Sequence, residues 1–323
     1  MALNRTISLS FLILLGLFTH GQKETNDSDL KDSLGYKKSF HDHITTRLFV
    51  VNTSNSLEVQ SRTDNFSLNL NANKQDRLGA SVAFRSVVIS YSFAPNFLAE
   101  NEDNKNSKLF NLNLRSYFGQ WMQTADLYQE RGFFIEGPSS SVYLPDTKSF
   151  KIGGSTSYIF NERFSYRAIV SQDEKQLKST GSFIPKVVYY YSEIDLIYGD
   201  IDSKLKAFDF AFAPSYAYNY IPTKNVLIAA GASVGLGFNY SESDSESLTS
   251  LLTEFSYRGS ITYDKDNLYL GAHYSYLILN HNSDRNSYVK DQIPYFELFL
   301  GYRFKTPKSV IRTADKVNKA LGL

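Results

Sequence analysis

The sequence predicts an all-β fold: a transmembrane antiparallel up-and-down β-barrel of about 12 strands, with about 14 as the alternative, and a short C-terminal periplasmic helix. Three observations support this prediction. Long stretches of the chain alternate apolar and polar residues with a period of two. Aromatic residues reach 15%, with 24 Phe and 23 Tyr. An export signal opens the sequence, and no later apolar run is long enough for a membrane-spanning helix.

The two ends of the chain differ in character from its middle. Residues 1–21 have the pattern of a cleaved signal peptide, with Arg5 before a short apolar run. Residues 22–43 are polar and charged, which predicts a periplasmic linker. We therefore expect the barrel over 44–304 and an amphipathic helical tail over 305–323.

Alternation identifies the individual strands. In the segment 252–263, Phe255 and Tyr257 fall on one face, while Glu254 and Arg258 fall on the other. The same alternation recurs in the segments 109–118, 164–171, 268–276 and 296–304. Because lipid surrounds a membrane barrel, the apolar face should point outward and the polar face into the lumen.

Thirteen segments qualify as strands. Single-chain bacterial barrels have even strand numbers because both chain ends face the periplasm. At least one assignment is therefore wrong. We expect the error in the closely spaced pair 77–84 and 87–94, in a strand hidden within 121–147, or around 161–182, where the alternation of short and long connections fails.

A soluble β-sandwich would give the same alternation with the apolar face turned inward. The barrel is favoured by the export signal, by strands of about ten residues and by aromatic residues at strand ends. The segment 295–304 alternates and ends in aromatic residues, and we expect the barrel-assembly machinery to bind it. Such a signal normally closes the chain, whereas a tail of 19 residues follows here.

That tail has two possible uses. Val310, Ala314, Val317 and Leu321 recur at helical spacing, with basic residues off this stripe. The helix over 305–323 either packs under the barrel or binds an anionic surface or a periplasmic partner.

The polar face of the strands supplies the candidate lumen residues. These carry charges of both signs and one imidazole: Arg115, Arg167, Asp209, Glu254, Arg258, His273, Glu297 and Arg303. A selective pore usually has a ring of one sign, so mixed signs favour ion pairs across a filled barrel. Gly231, Gly235 and Gly237 share the small face of one strand, which either widens a passage or admits a plug.

One arrangement could carry catalysis. His273 and Ser275 lie two residues apart and so share one face of a strand. This resembles the pair in outer-membrane lipid hydrolases, where histidine activates serine. Those enzymes present the pair to lipid, whereas the alternation of this strand points both side chains into the lumen.

A family resemblance rests on two neighbouring motifs. The first motif is Phe160-Asn161-Glu162-Arg163-Phe164-Ser165-Tyr166-Arg167. The second is Gln176-Leu177-Lys178-Ser179-Thr180-Gly181-Ser182. Together they resemble the domain of unknown function family 4421, exported outer-membrane β-barrel proteins of Gram-negative bacteria. The family-motif residues are Gln176, Lys178, Ser179, Gly181 and Ser182. The resemblance implies the fold and carries no activity or catalytic residue.

Composition excludes several classes of function. The absence of cysteine excludes disulfides, thiolate metal sites and a cysteine nucleophile, and a net charge of +1 argues against nucleic-acid binding. We expect no cofactor, no metal and no enzymatic activity. The partners expected are outer-membrane lipid, the assembly machinery through 295–304 and a periplasmic protein through the 305–323 tail. A structural or adaptor role comes first, a porin-like channel for small polar solutes second, and a lipid hydrolase third.

Overall fold

The computed structural model describes residues 34–53, 56–61, 67–72, 75–85, 87–98, 108–136, 141–170, 173–198, 201–243, 247–282 and 287–321. The proposed signal peptide therefore lies outside the described residues. No helix in the described part of the chain is long and apolar enough to cross a membrane.

The described chain is almost entirely β-structure. Its strands are β1 (Lys37–Ser39), β2 (His43–Thr53), β3 (Ser56–Ser61), β4 (Ser67–Ala72), β5 (Gln75–Phe84), β6 (Val87–Phe93), β7 (Lys108–Phe118), β8 (Trp121–Glu136), β9 (Ser141–Tyr158), β10 (Glu174–Gln176), β11 (Thr180–Tyr198), β12 (Ile201–Thr223), β13 (Val226–Glu242), β14 (Ser247–Lys265), β15 (Leu268–Asn282) and β16 (Ser287–Lys305). Its helices are a 3₁₀ turn (Asn96–Leu98), α1 (Arg167–Val170) and α2 (Lys308–Leu321).

Fourteen of these strands form a closed antiparallel barrel. β2 and β3 lie end to end along β16, and β4 and β5 lie end to end along β3 and β2, so the wall has twelve strand positions. β16 pairs with β15 on one side and with β2 and β3 on the other, which closes the barrel. The prediction of a twelve-stranded barrel with a C-terminal helix is confirmed.

Strand alternation places apolar side chains outside and polar ones inside. On β13, Val234 and Leu236 are 60% and 61% exposed, whereas Ser233 and Asn239 are 3% and 0% exposed. This is the reverse of a soluble protein, because the large apolar side chains cover the outer surface. Such a surface is stable only in lipid, so the wall is that of a membrane-spanning barrel.

Several strand assignments need correction. The segments 77–84 and 87–94 are both strands, joined by a tight turn at Arg85, which has a φ of 53°. The strand hidden in 121–147 exists as β8. The predicted strand 164–171 does not exist, because residues 167–170 form α1 inside the barrel.

Residues 159–170 and 173–179, which we call the plug, connect β9 to β11. β10 belongs to the plug and pairs with β1 in a separate two-stranded sheet. The plug lies at the end of the barrel that also holds the described chain ends and three tight turns, at 119–120, 224–225 and 266–267. That end faces the periplasm in barrels of this kind. The plug therefore fills the periplasmic part of the lumen.

Candidate functional site

The plug is clamped where it leaves and rejoins the wall. The Asn161 side-chain amide donates to the Gly181 carbonyl at 2.7 Å and to the Thr180 hydroxyl at 2.9 Å. Its own backbone N–H donates to the Ser182 hydroxyl at 3.0 Å, and its side-chain oxygen accepts from the Arg163 N–H at 3.0 Å. At Asn161 the chain therefore leaves the wall and turns into the barrel.

Gln176 lies at the centre of the plug and uses both ends of its amide. Its oxygen accepts from the Ser165 N–H at 2.7 Å and from the Asn219 amide of the wall at 3.1 Å. Its nitrogen donates to the Arg163 carbonyl at 2.8 Å and to the Tyr36 carbonyl at 3.1 Å. One side chain thus joins the plug, the N-terminal segment and the barrel wall.

Ser165 fixes the short helix α1. Its hydroxyl accepts from the Ala168 N–H at 2.9 Å, as an N-cap does, and donates to the Glu174 carboxylate at 2.7 Å. Its carbonyl accepts from Asn219 at 2.9 Å. Because Ser165 is 1% exposed, these bonds satisfy polar groups that water does not reach.

Apolar side chains seal the plug against the wall. Phe164, Tyr166, Ala168 and Ile169 are all buried. They belong to a cluster that also contains the wall residues Ala83, Val88, Tyr117, Met122, Ile184, Ala217, Leu227 and Ala229. Inward-facing apolar residues on several strands therefore mark the level at which the plug is seated.

Ion pairs complete the closure. Arg167 binds Asp173 at 3.0 Å and stacks on the Tyr117 ring at 5.0 Å. Burial alone would lower the pKa of Arg167, but the carboxylates of Asp173 and Glu174 outweigh burial and raise that pKa above the usual value. Lys175 of the plug reaches Asp264 on β14 at 3.4 Å.

The N-terminal segment covers the same end. Arg303 is 0% exposed, and its two terminal guanidinium nitrogens donate to the Asp264 carboxylate at 2.6 and 3.1 Å. Its guanidinium lies between the rings of Phe40 and Tyr269, at 4.0 and 4.7 Å from their centroids. Phe40, which precedes β2, also donates its N–H to the Asp173 carbonyl at 2.9 Å.

The five family-motif residues all lie in the plug or at its junction with β11. Besides Gln176, Lys178 donates to the Leu34 carbonyl at 3.3 Å and Ser179 accepts from the Ile221 N–H at 2.9 Å. Gly181 lies against Tyr216, and Ser182 accepts from Asn161. The motif thus builds the plug.

Within the described residues, two of the cavities that contact the plug are large. One of about 280 Å³ lies in the barrel interior, and one of about 400 Å³ is lined by the plug and the turn at Gly119. Tyr166 of the plug lines both cavities. The charged residues of the first cavity are Arg77, Arg115, Asp126, Glu130, Lys151, Lys186, Glu254 and Arg258.

The structure places the remaining predicted lumen residues inside the barrel, in separate clusters. Glu297 binds Arg47 at 3.1 Å and His273 at 3.4 Å. Glu254 binds Lys186 at 2.8 Å. The carboxylate of Asp209 accepts from Asn239 at 2.6 Å.

Arg115 and Arg258 line the first cavity, and Arg167 belongs to the plug, not to a strand. Sequence reasoning missed the partners Arg47, Lys186 and Asp264, although each falls on the inward parity of its strand. It also missed Asn219, whose role depends on contact with the plug.

His273 and Ser275 lie on the inner side of β15. His273 packs on the Phe299 ring at 4.7 Å, beside Glu297, and Ser275 lines the first cavity. Gly231 lines the same cavity, while Gly235 lies under the Glu254 carboxylate. Among the described residues, no three His, Asp or Glu side chains come together as a metal site would require.

The fold and the filled lumen define a plugged β-barrel of the membrane-spanning type. The chain belongs to the family described as Domain of unknown function (DUF4421), which matches residues 26–304. No curated protein matches the sequence.

Solved structures with a similar fold include three outer-membrane barrels. The COG4313 outer membrane channel from Pseudomonas putida F1 is 10% identical, with a TM-score of 0.41 over 88% of this chain and 100% of that one. The outer membrane protease OmpT from Escherichia coli is 8% identical, with a TM-score of 0.37 over 85% and 100%. The beta domain of the Bordetella autotransporter BrkA is 11% identical, with a TM-score of 0.35 over 81% and 98%.

Proposed function

We propose that this chain is a non-enzymatic structural or adaptor protein of the bacterial outer membrane, with its lumen sealed at the periplasmic end. The fastening of the plug carries this proposal. Hydrogen bonds, an apolar cluster and ion pairs join the plug to the wall and to the N-terminal segment. A passage would require many of these buried contacts to break together, which is costly.

The adaptor role is placed at α2, on the periplasmic side. Asp315 of α2 binds Arg85 at 2.5 Å, which fixes the helix against the barrel. Val310 is 40% exposed on one side of α2, and the exposed basic residues Lys308 and Arg312, each two positions from it along the chain, lie on the opposite side of the helix. A fixed helix with an exposed apolar residue on one side and exposed basic residues on the other supports docking of an acidic periplasmic protein.

A photo-crosslinking residue at Val310 tests this role in cells. The proposal expects a discrete protein adduct from Val310. The matched control is the same residue at Leu236, which is 61% exposed on the lipid face and should give no protein adduct. The absence of a discrete adduct from Val310, or the same adduct from both positions, would contradict the adaptor role.

A channel that opens and closes is the second candidate, and the two cavities that share Tyr166 as a lining residue favour it. In a channel, Tyr166 would be one of the side chains that must move to join these two spaces. Single-channel recording of Tyr166→Ala tests it, since a gated channel predicts frequent openings in this variant and a sealed scaffold predicts none. The inward placement of His273 and Ser275 does not support the third candidate, a lipid hydrolase.

A further inference from the structure

Four of the five cationic side chains around the 280 Å³ cavity have a carboxylate nearby. Lys186 binds Glu254 at 2.8 Å, and Lys151 binds Asp291 at 3.2 Å. Glu130 is the acidic group that acts on Arg77.

Asp126 lies near Arg115, but its two oxygens accept from Asn113 at 2.6 Å and from Tyr190 at 2.9 Å. The buried Nε of Arg115 has no hydrogen-bond acceptor within the described residues. One guanidinium donor of this cavity-lining residue is therefore unused.

Arg258 is the exception among the five cations. No ion pair forms at Arg258 in the part of the chain that the structure describes, and the charged group acting most strongly on it is another cation, Arg115. Two enclosed like charges repel each other, and the repulsion is large where water is sparse. An anion between them would remove this penalty.

The surroundings of Arg258 hold its guanidinium toward the cavity. The Tyr166 ring of the plug lies 5.5 Å from it, within cation–π range. Its cross-strand neighbours are Gly231, which has no side chain to cover it, and Ser275, whose hydroxyl lines the same cavity.

We propose that the lumen cavity above the plug binds a small oxyanion, a phosphate or a carboxylate, between Arg115 and Arg258. Guanidinium groups present paired N–H donors that match two oxygens of such an anion. The site is independent of the adaptor role proposed for α2, since it uses wall residues at the other side of the plug.

Calorimetric titration of the folded, detergent-solubilised protein with inorganic phosphate tests the site, in a chloride buffer at constant ionic strength. We expect saturable binding of one phosphate per chain. Arg115→Gln and Arg258→Gln should each weaken the Kd by about tenfold or more, because each removes charge-assisted hydrogen bonds. Titration with acetate in parallel separates a phosphate ligand from a carboxylate ligand.

Arg131→Gln is the matched control, because Arg131 pairs with Asp146 outside the cavity and its loss changes the net charge equally. Arg258→Lys keeps the charge and loses the paired donors, so this variant should bind phosphate more weakly than the natural chain. It replaces Arg258→Gln in the test if Arg258→Gln does not fold. The proposal is overturned by absence of saturable binding of either anion, by unchanged binding in the Arg258 variants, or by equal weakening in Arg131→Gln.

Discussion

The side-chain amide of Asn219, on strand β12, donates to the side-chain oxygen of Gln176, in the plug, over 3.1 Å. The same amide also donates to the Ser165 carbonyl at 2.9 Å. Asn219 is 0% exposed, so a single wall residue holds two points of the plug in a region closed to water. The plug is therefore part of the folded barrel and not a loop resting in its mouth.

Asn219→Ala should loosen the plug and destabilise the barrel by about 1–3 kcal/mol, because it leaves the buried Ser165 carbonyl without its donor. Urea unfolding of the detergent-solubilised protein measures the effect. Asn52→Ala, which removes an exposed bond to Asp76, is the control and should change stability by less than about 0.5 kcal/mol. Equal effects of the two changes would contradict the role given to Asn219.

Gly181→Ala should destabilise the junction of plug and wall by about 1–3 kcal/mol, as overpacking does. A Cβ at Gly181 would lie 2.8 Å from the Tyr216 ring and 2.9 Å from the Ala217 carbonyl oxygen. Gly259→Ala is the matched control in another strand, since its Cβ would meet nothing nearer than 3.9 Å. Equal unfolding midpoints for the two variants would show that Gly181 is not tightly enclosed.

Arg303→Met should destabilise the periplasmic end by about 3–5 kcal/mol, because it leaves the buried carboxylate of Asp264 with only the longer contact to Lys175. The partly exposed pair of Arg131 and Asp146 provides the comparison, and Arg131→Met should cost no more than about 1 kcal/mol. Thermal loss of the compact form on unheated gels measures both. A cost for Arg303→Met as small as that for Arg131→Met would contradict this account.

Most of the fold could be predicted from the alternation of apolar and polar residues along each strand. Once the apolar face of each strand was assigned to lipid, the inward positions of Asp209, Glu254 and Glu297 followed from alternation alone. Alternation did not reveal which inward charges pair, because pairing depends on the stagger of strands that are distant in sequence.

The segment that forms the plug was not predicted, for a physical reason. Its residues alternate in hydrophobicity like a strand, yet Phe164, Ser165 and Tyr166 are all buried, since the segment is surrounded by wall. Enclosure removes the difference between the two faces on which a period-two argument depends. The motif ending at Ser182 indicated only the family, because the hydrogen bond that Ser182 accepts from Asn161 becomes apparent only when the chain is folded.

The most direct test of the sealed lumen is single-channel recording in a planar bilayer, with the full chain compared to a variant in which residues 162–178 are replaced by a short Gly-Ser linker. Unheated gels first show that both proteins are folded. The account predicts no current steps from the full chain and regular steps from the variant, because the wall encloses a lumen that the plug fills. Regular steps of equal size from both proteins would contradict it.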